Sequence, residues 1–377
     1  MNILILPGFF CPSIGGSEKS AMDFVKACQS RGGKVIVVAR MEKGSLPFEL
    51  LGQIPIYRIK YPLLSFHQKN FINAAFVFTQ SFFHILLIVL KFKPDIIYVH
   101  LLLENAVMAS LITYLYRPRL IVSCQGGDWI LYKINRIIAA LLQRLLNKAE
   151  IITAPSELLI RRVKSRTEYY LDVRKFRVIP NGIDLENFDK RKDVFVLPDK
   201  RHYVFACGRL VIDKGFDILL RAFALLSDAY PEIDIIIAGD GEERSSLESL
   251  AEKLNITHRV HLIGMLPSQE IVSYYCGALF FVLSSRREAL PYAALEAMAA
   301  SKAVIGSREA TADELIKDGL NGYLFDSEDY NTLAEKMKFL IENRTLRDQL
   351  GSNGRRHIEQ YYRRDIIDQK IAEMIFS

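Results

Sequence analysis

Short, almost uninterrupted apolar runs alternate along the chain with stretches whose apolar residues recur every three to four positions. In the first half the runs fall at residues 2–7, 34–39, 54–59, 95–100, 120–124, 150–153 and 176–179. Residues 17–30 and 130–147 carry helical spacing between them. The pattern restarts after residue 200. Strand-like runs lie at 203–207, 233–238, 260–263, 278–283, 303–305 and 322–325, with helical spacing over 215–229, 242–254, 291–300 and 310–318. Strands that are apolar throughout, with helices between them, predict parallel sheets covered on both faces. From about residue 332 only helical spacing remains. The chain is therefore expected to be α/β, with two doubly wound units. Pro180-Asn181-Gly182 is a turn signal and residues 189–193 are a charged run suited to a linker. The expected division is 1–185, 186–363 and a terminal helix over 364–377 that returns to the first domain. The length of 377 residues suits two domains at about 150 each.

One segment departs from the alternation. Phe71–Leu90 has no formally charged residue and contains five phenylalanines, Phe71, Phe76, Phe78, Phe82 and Phe83. Its length alone would span a bilayer. Asn73, Thr79, Gln80, Ser81 and His84 interrupt it, and it leads directly into the run at 95–100. It is expected to be a crossover helix, either buried or resting one face in a membrane interface, and not a span. The opening Met1-Asn2-Ile3-Leu4-Ile5-Leu6-Pro7 lacks a basic leader and reads as a buried strand, not a signal peptide.

Composition narrows the classes. Apolar residues at 50% against 24% charged exclude a disordered chain. Cys11, Cys28, Cys124, Cys207 and Cys276 never form a close pair, which excludes zinc ribbons and thioredoxin motifs and suits a reducing compartment. The net charge of +6 is uneven. Residues 1–190 hold 25 basic and 14 acidic side chains, the remainder 24 and 29. The excess is densest over Lys133–Arg177, with 11 basic against 4 acidic residues. A one-sided basic face suits a nucleotide, a nucleic acid or an anionic bilayer, or serves solubility alone. No nucleic-acid-binding module or interleaved aromatic-basic tract accompanies it, so nucleic acid is not an expected partner.

Several positions carry candidate chemistry. Gly15-Gly16-Ser17 opens a helix after the first strand, a place for an anion or a plain capped turn. It is neither the dinucleotide fingerprint nor a Walker A sequence, which disfavours a dehydrogenase or a P-loop enzyme. Gly208-Arg209 follows the first strand of the second half, and Lys214 comes five residues later. Two cations at a strand end lie where ligands bind in open α/β sheets and would neutralise a diphosphate; surface pairing explains them otherwise. Gly239-Asp240-Gly241 closes the next strand as a tight turn. Glu288 stands before Leu290-Pro291, a helix start, and Glu296 lies inside that helix. Amides at the helix start suit a phosphate, and the carboxylates suit sugar hydroxyls; surface glutamates at a helix start are also common.

In this order and spacing the motifs resemble the retaining glycosyltransferases of the GT-B fold, group 4. The resemblance covers nearly the whole length and is clearest from Val178 to Phe325. It rests on Pro180-Asn181-Gly182-Ile183-Asp184, Gly208-Arg209 with Lys214-Gly215, Gly239-Asp240-Gly241, Glu288 through Glu296 with Ala297-Met298-Ala299, and Asn321-Gly322-Tyr323-Leu324. It implies two Rossmann-like domains facing a cleft, with a nucleotide-sugar donor and no cofactor or divalent metal. It also implies that Arg209 and Lys214 grip the donor diphosphate, that Glu288 faces the donor sugar and that Glu296 accepts from the ribose. Gly208, Gly241, Leu290 and Pro291 would line the donor, and the loop at Gly15 and Gly16 would lie across the cleft, near the donor phosphate and the acceptor. Gln125 replaces a frequent histidine in Cys124-Gln125-Gly126-Gly127-Asp128. An amide can bond a sugar hydroxyl but cannot exchange its proton, so the departing phosphate would take the acceptor proton. Ala289 stands where the family usually has glycine, and residues 307–314 lack its usual glycine pair.

The expected function is sugar transfer to a glycan or polyprenyl-diphosphate-linked acceptor in cell-surface polysaccharide synthesis. The expected place is the cytoplasm, peripheral on the inner face of the cell membrane at an anionic surface. The alternatives are a transferase with a soluble small-molecule acceptor and a non-catalytic nucleotide-sugar-binding subunit.

Overall fold

The computed structural model describes residues 1–12, 15–42, 44–61, 71–128, 136–166, 171–190, 194–197, 201–310 and 314–376, and for 71–75 the backbone alone. The helix start expected at Ile130 and the linker residues 191–193 lie outside this range. The chain forms two compact units, one of Met1–Pro180 with Ile367–Ser377 and one of Asn181–Ile366.

The first unit holds β1 (Asn2–Pro7), α1 (Gly16–Ser30), β2 (Lys34–Arg40), β3 (Phe48–Leu51), β4 (Ile54–Ile59), α2 (Phe71–Phe92), β5 (Ile96–His100), α3 (Glu104–Leu115), β6 (Arg119–Ser123), α4 (Arg136–Lys148), β7 (Ile151–Ala154), α5 (Glu157–Arg166) and β8 (Phe176–Val178). Its eight strands run in the order β3-β4-β2-β1-β5-β6-β7-β8. Every pairing is parallel except β3 with β4, which is antiparallel. Ile3, Leu4, Ile5 and Leu6 are fully buried because helices cover both faces of β1, and side chains that alternate faces must then all be apolar. The sequence pattern does not mark β3. It is a four-residue edge strand with Phe48, Leu50 and Leu51 exposed, and its register comes from the Gly52 turn into β4.

Helix α2 carries the Phe71–Leu90 segment. Ile85 and Val89 are buried, whereas Phe76, Phe83, Leu87 and Leu90 are exposed along one stripe at spacings of seven, four and three. Among the described residues no helix is long and apolar enough to cross a membrane.

The second unit holds α6 (Glu186–Asp189), β9 (His202–Cys207), α7 (Phe216–Ala224), β10 (Ile233–Ala238), α8 (Arg244–Lys253), β11 (Val260–Leu262), α9 (Ile271–Gly277), β12 (Phe281–Leu283), α10 (Tyr292–Ala299), β13 (Val304–Ser307), β14 (Tyr323–Phe325), α11 (Tyr330–Glu342) and α12 (Arg344–Tyr361). The strand order is β11-β10-β9-β12-β13-β14, all parallel. The order reverses between β9 and β12, and ligands of open α/β sheets bind beyond the strand ends at such a reversal.

The helix expected over 310–318 is absent from the described residues there, which form turns. Side chains take the backbone groups a helix would use. Asn321 accepts from the Lys317 amide at 2.7 Å and donates to the Leu315 carbonyl at 3.1 Å, and Asp318 accepts from the Leu324 amide at 2.8 Å. The last helix, α13 (Arg364–Phe376), places Ile367, Ile371, Met374 and Ile375 in the core of the first unit beside Ile3, Phe24 and Val37. The Arg119 guanidinium caps it by donating to the Ile375 carbonyl at 3.0 Å.

Candidate active site

The loops that leave β9 and β12 in the second unit are bonded to each other. After β9 the chain crosses Gly208 and the exposed Arg209, makes a single tight turn over Ile212–Lys214 and enters α7 through Gly215. Gly215 has φ +61°, and a Cβ there would overlap the Ser284 carbonyl, so a residue with a side chain is excluded twice over. That close approach lets the Ser284 hydroxyl donate to the Lys214 carbonyl at 3.0 Å and the Arg286 amide to the Asp213 carbonyl at 2.7 Å. Arg286 also forms a bidentate pair with Asp217 at 2.9 Å for each bond and pairs with Glu328. These bonds to two carboxylates hold its pKa above the ordinary arginine value.

Lys214 and Glu288 meet inside this frame. The Lys214 ammonium donates to Glu288 Oε1, and the Ser285 hydroxyl donates to the same oxygen at 3.2 Å. The two side chains are 24% and 18% exposed, enough to meet a ligand and sheltered enough that their charges are weakly screened. The Lys214 methylenes run over Gly208, with Cδ and Cε 3.5 Å from where a Cβ would stand. Arg209 has no side-chain partner among the described residues. Gly239 donates to the Gly264 carbonyl at 2.7 Å, and Gly241 turns against Leu210, whose amide donates to the Asp240 carbonyl at 2.9 Å.

Leu290 and Pro291 are buried and lead into α10, with Pro291 extended at the cap position and no side chain capping the helix. The Asn181 side chain donates to the Leu290 carbonyl at 2.9 Å, fixing the loop that carries Glu288. Glu296, just over one turn into α10, accepts from the Tyr275 hydroxyl at 3.1 Å, and that hydroxyl lies 3.0 Å from Cys207 Sγ. Burial raises the Tyr275 pKa well above the ordinary value, and the Cys207 and Glu296 side chains add to the rise. Of the residues read from sequence, this unit therefore places Gly208, Arg209, Lys214, Gly241, Glu288, Leu290, Pro291 and Glu296 beyond the carboxyl ends of its interior strands β9, β10 and β12.

Gly15, Gly16 and Gln125 belong to the first unit. Gly15 precedes α1 in extended backbone, at φ −173° and ψ 173°. His100, at the end of β5, lies with Nε2 3.0 Å from the Ser17 carbonyl and so pins that helix start. Burial lowers the His100 pKa to about 4, so the ring is neutral at pH 7. Gln125 lies past β6 in a turn built on the buried Asp128, whose carboxylate accepts from the Leu102, Gln125 and Gly126 amides at 2.8, 2.6 and 2.7 Å. The Gln125 side chain donates to Ser123 Oγ at 2.8 Å. Among the described residues no group of histidine, cysteine and carboxylate side chains has the arrangement of a metal site.

Sequence reasoning missed Tyr275, Ser284, Ser285 and Arg286 as parts of the site. Each lies in an apolar or unremarkable stretch and acquires its partner only through the fold. Asn181 was visible as part of a turn motif, but its bond to Leu290 joins residues 109 positions apart.

Comparison with known proteins places the chain in a family. Residues 14–187 match the model of the family described as Glycosyltransferase Family 4, and residues 187–357 that of Glycosyl transferases group 1. An uncharacterised glycosyltransferase of Methanocaldococcus jannaschii is 34% identical over 188 residues, 49% of each chain. The capsular polysaccharide biosynthesis glycosyltransferase CapM of Staphylococcus aureus is 26% identical over 201 residues, 52% of each chain. The matched stretch spans about half the length of these curated relatives. Among solved structures, sucrose-phosphate synthase from Thermosynechococcus elongatus superposes with a TM-score of 0.84 at 18% identity, covering 99% of this chain and 98% of the other. Anabaena HepE in complex with UDP-glucose gives 0.78 at 21% identity, covering 100% and 99%. With two parallel-sheet units, adjoining family matches over 14–357 and this fold likeness, the chain belongs to the GT-B glycosyltransferases.

Proposed function

We propose that the protein transfers a sugar from a nucleotide-sugar donor to a glycan or lipid-linked acceptor, with retention at the anomeric carbon and without a divalent metal, in the building of a cell-surface polysaccharide. The observation that carries this is the Lys214–Glu288 pair at the strand reversal, with Arg209 exposed beside it and Glu296 on the adjoining helix. The second unit is the donor side. Arg209, Lys214 and the first-turn amides of α10 meet the diphosphate, Glu288 the sugar and Glu296 the ribose. As the bond from the anomeric carbon to phosphate oxygen breaks, charge grows on the diphosphate. Fixed cations aimed there stabilise that charge more in the transition state than in the ground state. The departing phosphate oxygen takes the proton of the acceptor hydroxyl as the new glycosidic bond forms. The first unit is the acceptor side, with Gly15, Gly16 and Gln125 at its strand ends. Gln125 serves there by hydrogen bonding and moves no proton. HepE, whose solved complexes contain UDP and UDP-glucose, and CapM, named for capsular polysaccharide, support the donor and product classes.

Of the two acceptor classes the lipid-linked one is the better supported, with the protein working at the inner face of the cell membrane. The exposed Phe76, Phe83, Leu87 and Leu90 of α2 and the basic excess of the first half support peripheral attachment to an anionic surface. Each nearby basic residue adds about 1 kcal/mol, and salt weakens the sum. Two measurements test the reading. Purified protein is screened for nucleotide-sugar hydrolysis and then offered lipid-linked sugars; no turnover of any donor would defeat the enzymatic reading. Sedimentation with anionic vesicles is expected at low salt, with release at high salt. Failure to bind either neutral or anionic vesicles at low salt would favour a soluble acceptor.

A further inference from the structure

We infer that Tyr275 is a positioning residue for nucleotide binding, acting through Glu296; this rests on the donor-side reading of the second unit. Tyr275 lies on α9, Cys207 ends β9 and Glu296 lies on α10, so the Tyr275 hydroxyl joins three elements at one point. The ring is fully buried and fixed edge-on against Phe205 at 5.0 Å, with Phe281 at 5.5 Å. Its hydroxyl therefore has little freedom to move. A tyrosine hydroxyl has one proton, and a carboxylate only accepts. The proton is committed to Glu296 Oε2, and the Tyr275 oxygen then accepts the Cys207 S–H. The result is a directed chain from thiol to hydroxyl to carboxylate.

The function of this chain is orientation. Glu296 is borne on the helix that joins the interior strands β12 and β13, and a glutamate has three side-chain torsions to fix before it can receive a ribose hydroxyl at a set angle. A bond from a rigid buried phenol fixes the carboxylate plane in advance, so binding does not have to order it. Nothing in the apolar run Ile271-Val272-Ser273-Tyr274-Tyr275 signals this. The neighbouring Tyr274 instead stacks on Phe195 at 4.0 Å, while Tyr275 reaches the carboxylate.

The test is calorimetric titration of the full chain with UDP, and with GDP in parallel, using wild type, Tyr275→Phe, Glu296→Gln and the double variant. Thermal unfolding of each variant verifies folding. Tyr275→Phe keeps the packed ring and removes only the hydroxyl. It is expected to weaken nucleotide binding about tenfold, the scale of a hydrogen bond to a charged group. Glu296→Gln should weaken it at least as much, and the double variant no further than Glu296→Gln, because a residue acting through Glu296 has nothing left to orient. In turnover, Tyr275→Phe should raise the donor KM and leave kcat within about twofold, since the ribose is remote from the reacting bond. If Glu296→Gln weakens binding while Tyr275→Phe binds as wild type, or if the two effects multiply in the double variant, the positioning role is overturned and the donor site stands. If wild type binds neither nucleotide, or Glu296→Gln leaves binding unchanged, the donor-side reading fails and this inference with it.

Discussion

Replacing Lys214 by methionine removes the ammonium from Glu288 and keeps the bulk that lies over Gly208. Two effects separate. The first is on stability. The pair is neither a surface ion pair, worth about 0–1 kcal/mol, nor a fully buried one, whose breaking costs about 3–5 kcal/mol. With side-chain exposures of 24% and 18%, and Ser285 still donating to Glu288, a loss of about 1–2 kcal/mol is expected. For a unit of this size that lowers Tm by about 2–8 °C. The second effect is on the rate. Loss of a fixed cation at a growing diphosphate charge costs about 3 kcal/mol in the transition state, or about 10²-fold in kcat/KM. A coupled assay of nucleotide release reads the rate, and circular dichroism melting reads the stability. Adding Glu288→Gln to Lys214→Met should restore most of the Tm, because no unpaired carboxylate remains, while leaving the rate low. A folded Lys214→Met protein with kcat/KM within twofold of wild type would refute the assignment. Restoration of both rate and Tm in the double variant would show that Lys214 serves only to neutralise Glu288.

Three further outcomes are expected. Gly215→Ala should destabilise the second unit by more than about 2 kcal/mol, read as a lower denaturation midpoint, because it combines a left-handed backbone with a Cβ against the Ser284 carbonyl. Neutral, buried His100 favours the fold above its ordinary pKa of 6.5; as pH falls through that value towards about 4 the unfolded chain binds a proton the folded chain resists, and stability falls by at most about 1.4 kcal/mol per pH unit. Melting at pH 7, 6 and 5 should show that slope in wild type and a flatter one in His100→Asn; identical slopes would remove His100 as its source. Sugar transfer should proceed in excess EDTA, and loss of activity restored by magnesium or manganese would overturn the metal-free mechanism.

The largely apolar runs at 2–7 and 233–238 determined buried parallel strands, since a strand covered on both faces offers few polar positions. Asp234, the one charged residue in the second run, is fully buried and is held there by bonds from Arg259 at 2.7 Å and from His261 at 2.6 Å that the run itself does not announce. The site motifs were legible for a related reason. Gly208, Arg209, Lys214, Glu288 and Glu296 occupy two short segments at strand ends, where residue type is dictated by local backbone and charge. Other features had no local signature. Strand β3 exists because Gly52 folds it back on β4, and the turns at 314–321 exist because Asn321 and Asp318 take the backbone groups a helix would have used. The exposed stripe of α2 could not be told from its buried face, because both are apolar and only packing chose between them. Asn181 on Leu290 and Tyr275 on Glu296 join residues 109 and 21 positions apart. Their hydrogen bonds depend on distances of about 3 Å that are set once the sheet has closed and the helices have packed, and composition and periodicity carry no record of them.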